Sequence, residues 1–213
     1  MTLAVEEEIA AIARDLSQLL GYVTLQPQMT SWQELSPFRE EDRIPSDHCV
    51  VLPDKVFLPL PMKGRLTSSE WGPLIASSMI YYHSDETKRR RRVGLIIALG
   101  LVSLLVLPFV PLSLTYGAKT GLPITVVLAY LSYTWVTILA MLYYLHRYQV
   151  GTWLLADKLA SQKAIESQAL VDVLNRIDKM NLLDIEKRKK ARVPWLWLSW
   201  RPSISERIQN LTA

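Results

Sequence analysis

One cysteine, Cys49, stands in 213 residues, so no disulfide can form within the chain and no metal site can draw on two thiolates. Three histidines, His48, His83 and His146, leave little material for a multi-histidine centre. The eight glycines include no G-x-G-x-x-G or P-loop spacing, so a backbone cradle for a nucleotide phosphate is hard to build. No Ser/His/Asp array stands in a supporting context, and neither an internal repeat nor a low-complexity tract is present. Charged residues make up only 21% and apolar ones 50%, which excludes a disordered chain and supplies enough apolar surface for a real core.

What the chain does have is a long run almost free of charge. From Val93 to Leu145 the only charged residue is Lys119. The run divides into spans 93–116 and 123–145, each about 35 Å long as a helix, enough to cross a hydrocarbon core of about 30 Å. In lipid the backbone must satisfy its own hydrogen bonds, so both spans are expected to be helical, with Pro108 and Pro111 kinking or ending the first. The basic run Lys88, Arg89, Arg90, Arg91 and Arg92 precedes the first span, and His146 and Arg147 follow the second. Positive charge stays inside, so both termini are expected in the cytoplasm and the loop 117–122 outside. No charged-then-apolar start resembles a signal peptide, which leaves the first span as the membrane signal. The same basic run explains a net charge of +4 without nucleic acid, and it can also face anionic lipid.

The flanks, 1–92 and 146–213, are expected to fold together as one cytoplasmic domain interrupted by the hairpin 93–145. Val5, Ile9, Ile12, Leu16 and Leu19 recur at helical spacing ahead of Gly21. The Pro-bearing segment 22–48 suggests loops and short strands, and Cys49–Leu52 with Val56–Leu58 around Pro53-Asp54 reads as strand, turn, strand. Thr67 and Glu70 form a capping box ahead of a helix over 71–82. Leu159–Met180 reads as one helix with Leu170, Val173, Leu174 and Ile177 on its apolar face, Lys187–Lys190 as a solvated run, and Pro202–Leu211 as a short final helix. The expected fold class is therefore mainly α with a small β element.

Four segments together resemble one family. Leu66–Ala76 (LTSSEWGPLIA) is similar to the lead-in L-T-x-x-E-L-x-A-L-L-A of the HtpX-like membrane zinc metallopeptidases, peptidase family M forty-eight, which includes the CAAX prenyl proteases. Ala156–Ala160 (ADKLA) resembles the stretch E-x-x-A-D-x-x-A that carries their third zinc ligand, and Leu170–Ile177 resembles the helix L-x-x-A-L-x-K-I. Arg201–Leu211 (RPSISERIQNL) resembles the closing H-P-S-I-x-E-R-I-x-x-L. The two spans fall where that family inserts its transmembrane hairpin. The resemblance implies a zincin-like domain, with Val50–Leu60 in the place of the edge strand that pairs with substrate. Pro53, Pro59 and Pro61 remove donors from that segment and weaken the pairing.

Carried over residue by residue, the first zinc histidine falls on Ser77, the catalytic glutamate on Ser78, the second histidine on Tyr81 and the glutamate ligand on Trp153. Asp157 keeps its place without a metal neighbourhood, and capping or pairing with a basic residue becomes its default role. No HExxH occurs anywhere. Hydroxyls and a phenol are poor zinc ligands at neutral pH, and an indole cannot ligate it. Trp153 and Tyr81 are instead expected to plug the former cleft. The resemblance so read implies an inactive pseudo-metalloprotease: not an enzyme, with no cofactor or bound metal, serving as an accessory, scaffolding or regulatory subunit of a membrane complex. Its expected partners are the bilayer and other integral membrane proteins. The alternative is a hydrolase with a site rebuilt around His83, His146 and Asp157. Trp195, Trp197 and Trp200 offer apolar anchors for a partner, for the membrane interface or for the core.

Overall fold

The computed structural model describes residues 2–36, 39–106, 124–190 and 201–213. The kink positions Pro108 and Pro111, the loop 117–122 and the tryptophans at 195, 197 and 200 lie outside the described residues. Helix α1 (Thr2–Leu19) leads into strands β1 (Met29–Gln33), β2 (Leu35–Ser36), β3 (Arg39–Arg43), β4 (Val50–Val51) and β5 (Lys55–Pro59). Helices α2 (Ser68–His83), α3 (Asp85–Val106), α4 (Ile124–Lys163), α5 (Ser167–Lys179), α6 (Leu183–Lys190) and α7 (Ile204–Thr212) follow. The chain is mainly helical with a small β element.

Local chemistry sets the ends of these elements. Gly21 takes φ +75° just past α1, and the amide of Tyr22 reaches back to the Ser17 carbonyl at 2.8 Å, closing the helix with orphan carbonyls satisfied. Glu70 turns back at the start of α2 to accept from the Thr67 amide at 2.7 Å and from its hydroxyl at 2.8 Å. Ser203 and Glu206 repeat the device at α7, where the Ser203 hydroxyl accepts from the Glu206 amide at 3.2 Å. The apolar face of α1 is narrower than its spacing suggests. Ile9, Ala10, Ala13 and Leu16 are buried, whereas Val5 and Leu19 at the ends are exposed.

β5 is the middle strand of three, parallel to β1 (Thr30 opposite Val56) and antiparallel to β4 (Val51 opposite Val56). This corrects the placing of Val50–Leu60 as an edge strand for most of its length: β5 is paired on both sides, and only the two residues of β4, Val50 and Val51, stand at an edge of the sheet. The sheet backs onto α2, which is buried from Trp71 through Tyr81 and forms the centre of the core. Leu170, Val173, Leu174 and Ile177 of α5 and Ile9 of α1 close over it.

The expected single helix over Leu159–Met180 is broken. α4 ends at Lys163, where the amides of Ala164 and Ile165 both bond the Ala160 carbonyl, and α5 restarts after Glu166. That turn redirects α5 so that its apolar face meets α2, which one straight helix could not do.

α4 is a single helix of 40 residues, about 60 Å long. Its segment Leu128–Lys163 is the one described helix long and apolar enough to cross a membrane. α3 packs against it antiparallel: Gly94 meets Tyr148, and Arg90 meets Gly151 one turn earlier. A Cβ on Gly94 would lie 2.6 Å from the Tyr148 ring, so glycine is what lets these helices approach. Away from that seam, Ile96 is 67% exposed and Val136 66% exposed, part of an apolar band along the outside of both helices. α4 then continues without interruption past Leu145 into the core, carrying Trp153 and Asp157.

Candidate functional site

Where α2 crosses the inner half of α4, the polar residues of the core gather. Ser77, Ser78, Tyr81 and Tyr82 come from two turns of α2, and Trp153 and Asp157 lie one turn apart on α4. Asp47, His48 and Cys49 enter from the loop before β4. Arg188 of α6, Arg201 and Arg207 of α7 approach from the C-terminal side.

Tyr81 and Trp153 stack face to face, with ring centroids 3.5 Å apart and planes within 10°. His48 stands edge-on to Trp153 at 4.3 Å, and the Arg201 guanidinium lies over its ring at 5.7 Å. Aromatic area thus fills the middle of the cluster. The site residues Ser77, Ser78, Tyr81, Trp153 and Asp157 are brought together.

Asp157 is fully buried and bound from both sides. Ser77 Oγ donates to Oδ1 at 2.5 Å, and Arg207 donates Nε to Oδ2 and Nη2 to Oδ1, each at 2.8 Å. The third nitrogen of Arg207 turns to Asp47, reaching its carbonyl at 2.9 Å and Oδ2 at 3.3 Å. Arg188 forks onto the same carboxylate at 2.6 and 3.2 Å. Arg188 corrects the reading of Lys187–Lys190 as a solvated run: its side chain is 15% exposed because it pairs with a buried acid. Burial opposes ionisation of Asp47, but the two guanidiniums outweigh it and hold the carboxyl well below its usual range. The same acids raise Arg207 against the effect of its own burial.

A second chain of hydrogen bonds runs beside this one. Cys49 Sγ donates to Ser78 Oγ at 3.3 Å, Ser78 Oγ meets His48 Nδ1 at 3.0 Å, and His48 Nε2 meets Tyr82 Oη at 3.3 Å. The directions agree if Ser78 donates to a neutral His48, whose Nε2–H then faces Tyr82. Burial first, then the charge of Arg201, keeps the His48 pKa well below its ordinary value, so the imidazole is neutral at pH 7. Burial also pushes the Cys49 thiol up to about 12.

These shifts fix a pH dependence of stability. Unfolding lets His48 take up a proton below about 6.5, and Asp47 below about 3.8, which the folded state refuses. Stability is therefore expected to fall as pH drops below about 6.5, and further below about 4. Above about 9 the unfolded thiol ionises while folded Cys49 does not, so stability declines again toward 12. Melting temperature in detergent should pass through a maximum between pH 6.5 and 9. His48→Asn should flatten the acid limb and Cys49→Ala the alkaline one.

The donors at the positions assigned to zinc do not fit that ion. They are one hydroxyl, a phenol and an indole, a second hydroxyl (Ser78) stands in the place of the catalytic glutamate, and the one carboxylate, Asp157, already carries a guanidinium at 2.8 Å where a cation would be repelled. Among the described residues no three of His, Cys, Asp and Glu gather as a metal site. His146 and Asp157 lie eleven residues apart on α4, about 16 Å along its axis, too far to share a reacting group. His83 bonds the Val51 carbonyl at 3.1 Å and packs near Tyr22.

Asp47, His48, Arg188 and Arg207 were missed as site residues at the level of sequence. A usable signal exists for the arginines: Arg207 shares a stripe with Ile204, Ile208 and Leu211, and Arg188 follows Ile185 by three, so each charge lies on an apolar face and calls for a buried acid. No protein-family model, curated protein or solved structure matches the chain.

Proposed function

We propose that the chain is a catalytically inactive, membrane-embedded relative of the HtpX-like zinc metallopeptidases, acting as an accessory, scaffolding or regulatory subunit of a membrane protein complex. The observation that carries the reading is the replacement chemistry on α2 and α4. At the ligand positions that the resemblance assigns stand the Tyr81–Trp153 stack and the bonded set Ser77–Asp157–Arg207. A site of this kind holds no water against a Lewis acid and offers no free carboxylate to deprotonate one. What persists is a binding-competent scaffold: a zincin-like domain, and α3 and α4 crossing the bilayer as a hairpin.

Two features support the membrane part of the proposal. α3 and α4 pack antiparallel with their apolar sides outward, and the basic run 88–92 stands at the same end as the folded domain. Both termini are then cytoplasmic by the positive-inside rule.

The test is purification of the full chain from its native membranes in mild detergent, followed by metal analysis, peptide-hydrolysis assay and identification of co-purifying subunits. The expected outcome is a stable complex with another integral membrane protein, no stoichiometric zinc and no turnover. A lone chain that binds zinc and cleaves peptides would overturn it.

A further inference from the structure

Beside the cluster lies a half-open pocket lined by Asp47, His48, Trp153, Arg201, Pro202 and Arg207, with a cavity of about 10 Å³, room for about one water-sized oxygen. The arginines around it differ in one respect. Arg207 spends all three nitrogens on Asp157 and Asp47, and Arg188 forks onto Asp47 and reaches the Pro202 carbonyl at 3.4 Å. Arg201 takes no part in these ion pairs, and its Nη1, shut off from solvent, has no hydrogen-bond partner among the described residues. No acid in the cluster is left for it. Both oxygens of Asp47 are taken by Arg188 and Arg207, both oxygens of Asp157 by Ser77 and Arg207, and both oxygens of Asp184 accept from Ser46, with Arg188 at 3.9 Å.

A guanidinium N–H closed off from solvent without an acceptor is costly, because arginine does not shed its proton to escape the burial. The face of Trp153 supplies one partial partner at 5.7 Å, but Nη1 remains without an acceptor. The missing partner must be anionic, offer oxygen, and insert one atom while the rest stays at the mouth. A tetrahedral oxyanion meets all three demands, and guanidinium groups favour phosphate for its matching geometry.

We propose that this pocket binds a phosphate group, placing one phosphate oxygen against Arg201 with the remaining oxygens at the pocket mouth. The phosphate can belong to a soluble molecule or to a lipid headgroup. Trp153 stands eight residues beyond Leu145, about 12 Å along α4, whereas a headgroup layer is about 5–8 Å thick. That distance favours the soluble source.

The experiment uses the full chain in detergent and in nanodiscs. Inorganic phosphate is titrated at constant ionic strength against chloride and acetate, and nanodiscs of phosphatidylcholine are compared with nanodiscs that also contain phosphatidic acid. Phosphate should raise the melting temperature by a saturating amount that acetate and chloride do not match. A rise with phosphatidic acid but not with free phosphate would assign the ligand to the headgroup. Arg201→Met should fold at least as well as the wild type without phosphate, since it removes a closed-off donor that has no acceptor, and should bind phosphate at least about tenfold more weakly. Arg176→Gln, on the exposed face of α5, should leave the phosphate response unchanged. No response to either phosphate source, an equal response to acetate, or an unchanged response in Arg201→Met would overturn the proposal.

Discussion

Asp157→Ala should be among the most damaging single substitutions, costing about 3–5 kcal/mol, a large part of the stability of a domain this size. The reason is the charge left behind. Arg207 is 3% exposed and gives two of its three nitrogens to this carboxylate, so removal of Asp157 strands a guanidinium in the core together with the Ser77 hydroxyl. The double variant Asp157→Leu/Arg207→Met removes both charges and keeps the volume apolar. It should be more stable than Asp157→Ala alone, because Asp47 retains Arg188. Chemical denaturation in detergent, followed by circular dichroism, measures both. A single variant within 1 kcal/mol of the wild type would mean that Arg207 finds another acid and that the pair does not hold α7 in place.

Trp153→Ala should cost about 3–5 kcal/mol by a different route, the loss of a large buried ring and the cavity it leaves. Its indole is 4% exposed and touches three partners at once: Tyr81 stacked at 3.5 Å, His48 edge-on at 4.3 Å, and Arg201 above the ring. Water entering the vacated space would reach His48 and let its folded-state pKa rise toward the unfolded value, so the acid limb of the stability profile should shrink in this variant. Trp153→Phe keeps the stack with Tyr81 and should recover most of the loss. If Trp153→Ala melts as the wild type does, the aromatic filling of this crossing is incidental to stability.

The helices were readable because their signals are local. Caps such as Thr67 with Glu70 act over three residues, and the apolar stripe of α5 repeats within four. The charged cluster was not readable in the same way, because its bonds join residues far apart in the chain. Arg207 meets Asp47 across 160 positions, and Arg188 meets Asp47 across 141. The segment that supplies Asp47 and His48 is short of periodicity and rich in proline, so nothing nearby distinguishes a buried acid from a loop acid. The break after Lys163 was hidden for a related reason. It has no glycine or proline to mark it, and it is set by where α5 must pack. The placing of Ser77, Tyr81, Trp153 and Asp157 in one neighbourhood needed both the helical spacing and the resemblance.

The uninterrupted course of α4 has a mechanical corollary. About 18 Å of helix separates Leu145 from Asp157, so a swing of ten degrees about Leu145 would carry Asp157 sideways by about 3 Å. Hydrogen bonds of 2.5–2.8 Å at Asp157 tolerate displacements of only tenths of an ångström. A rod of this kind transmits torque: the inner domain must follow every change in lean of the outer half, or else let go of its ionic clasp.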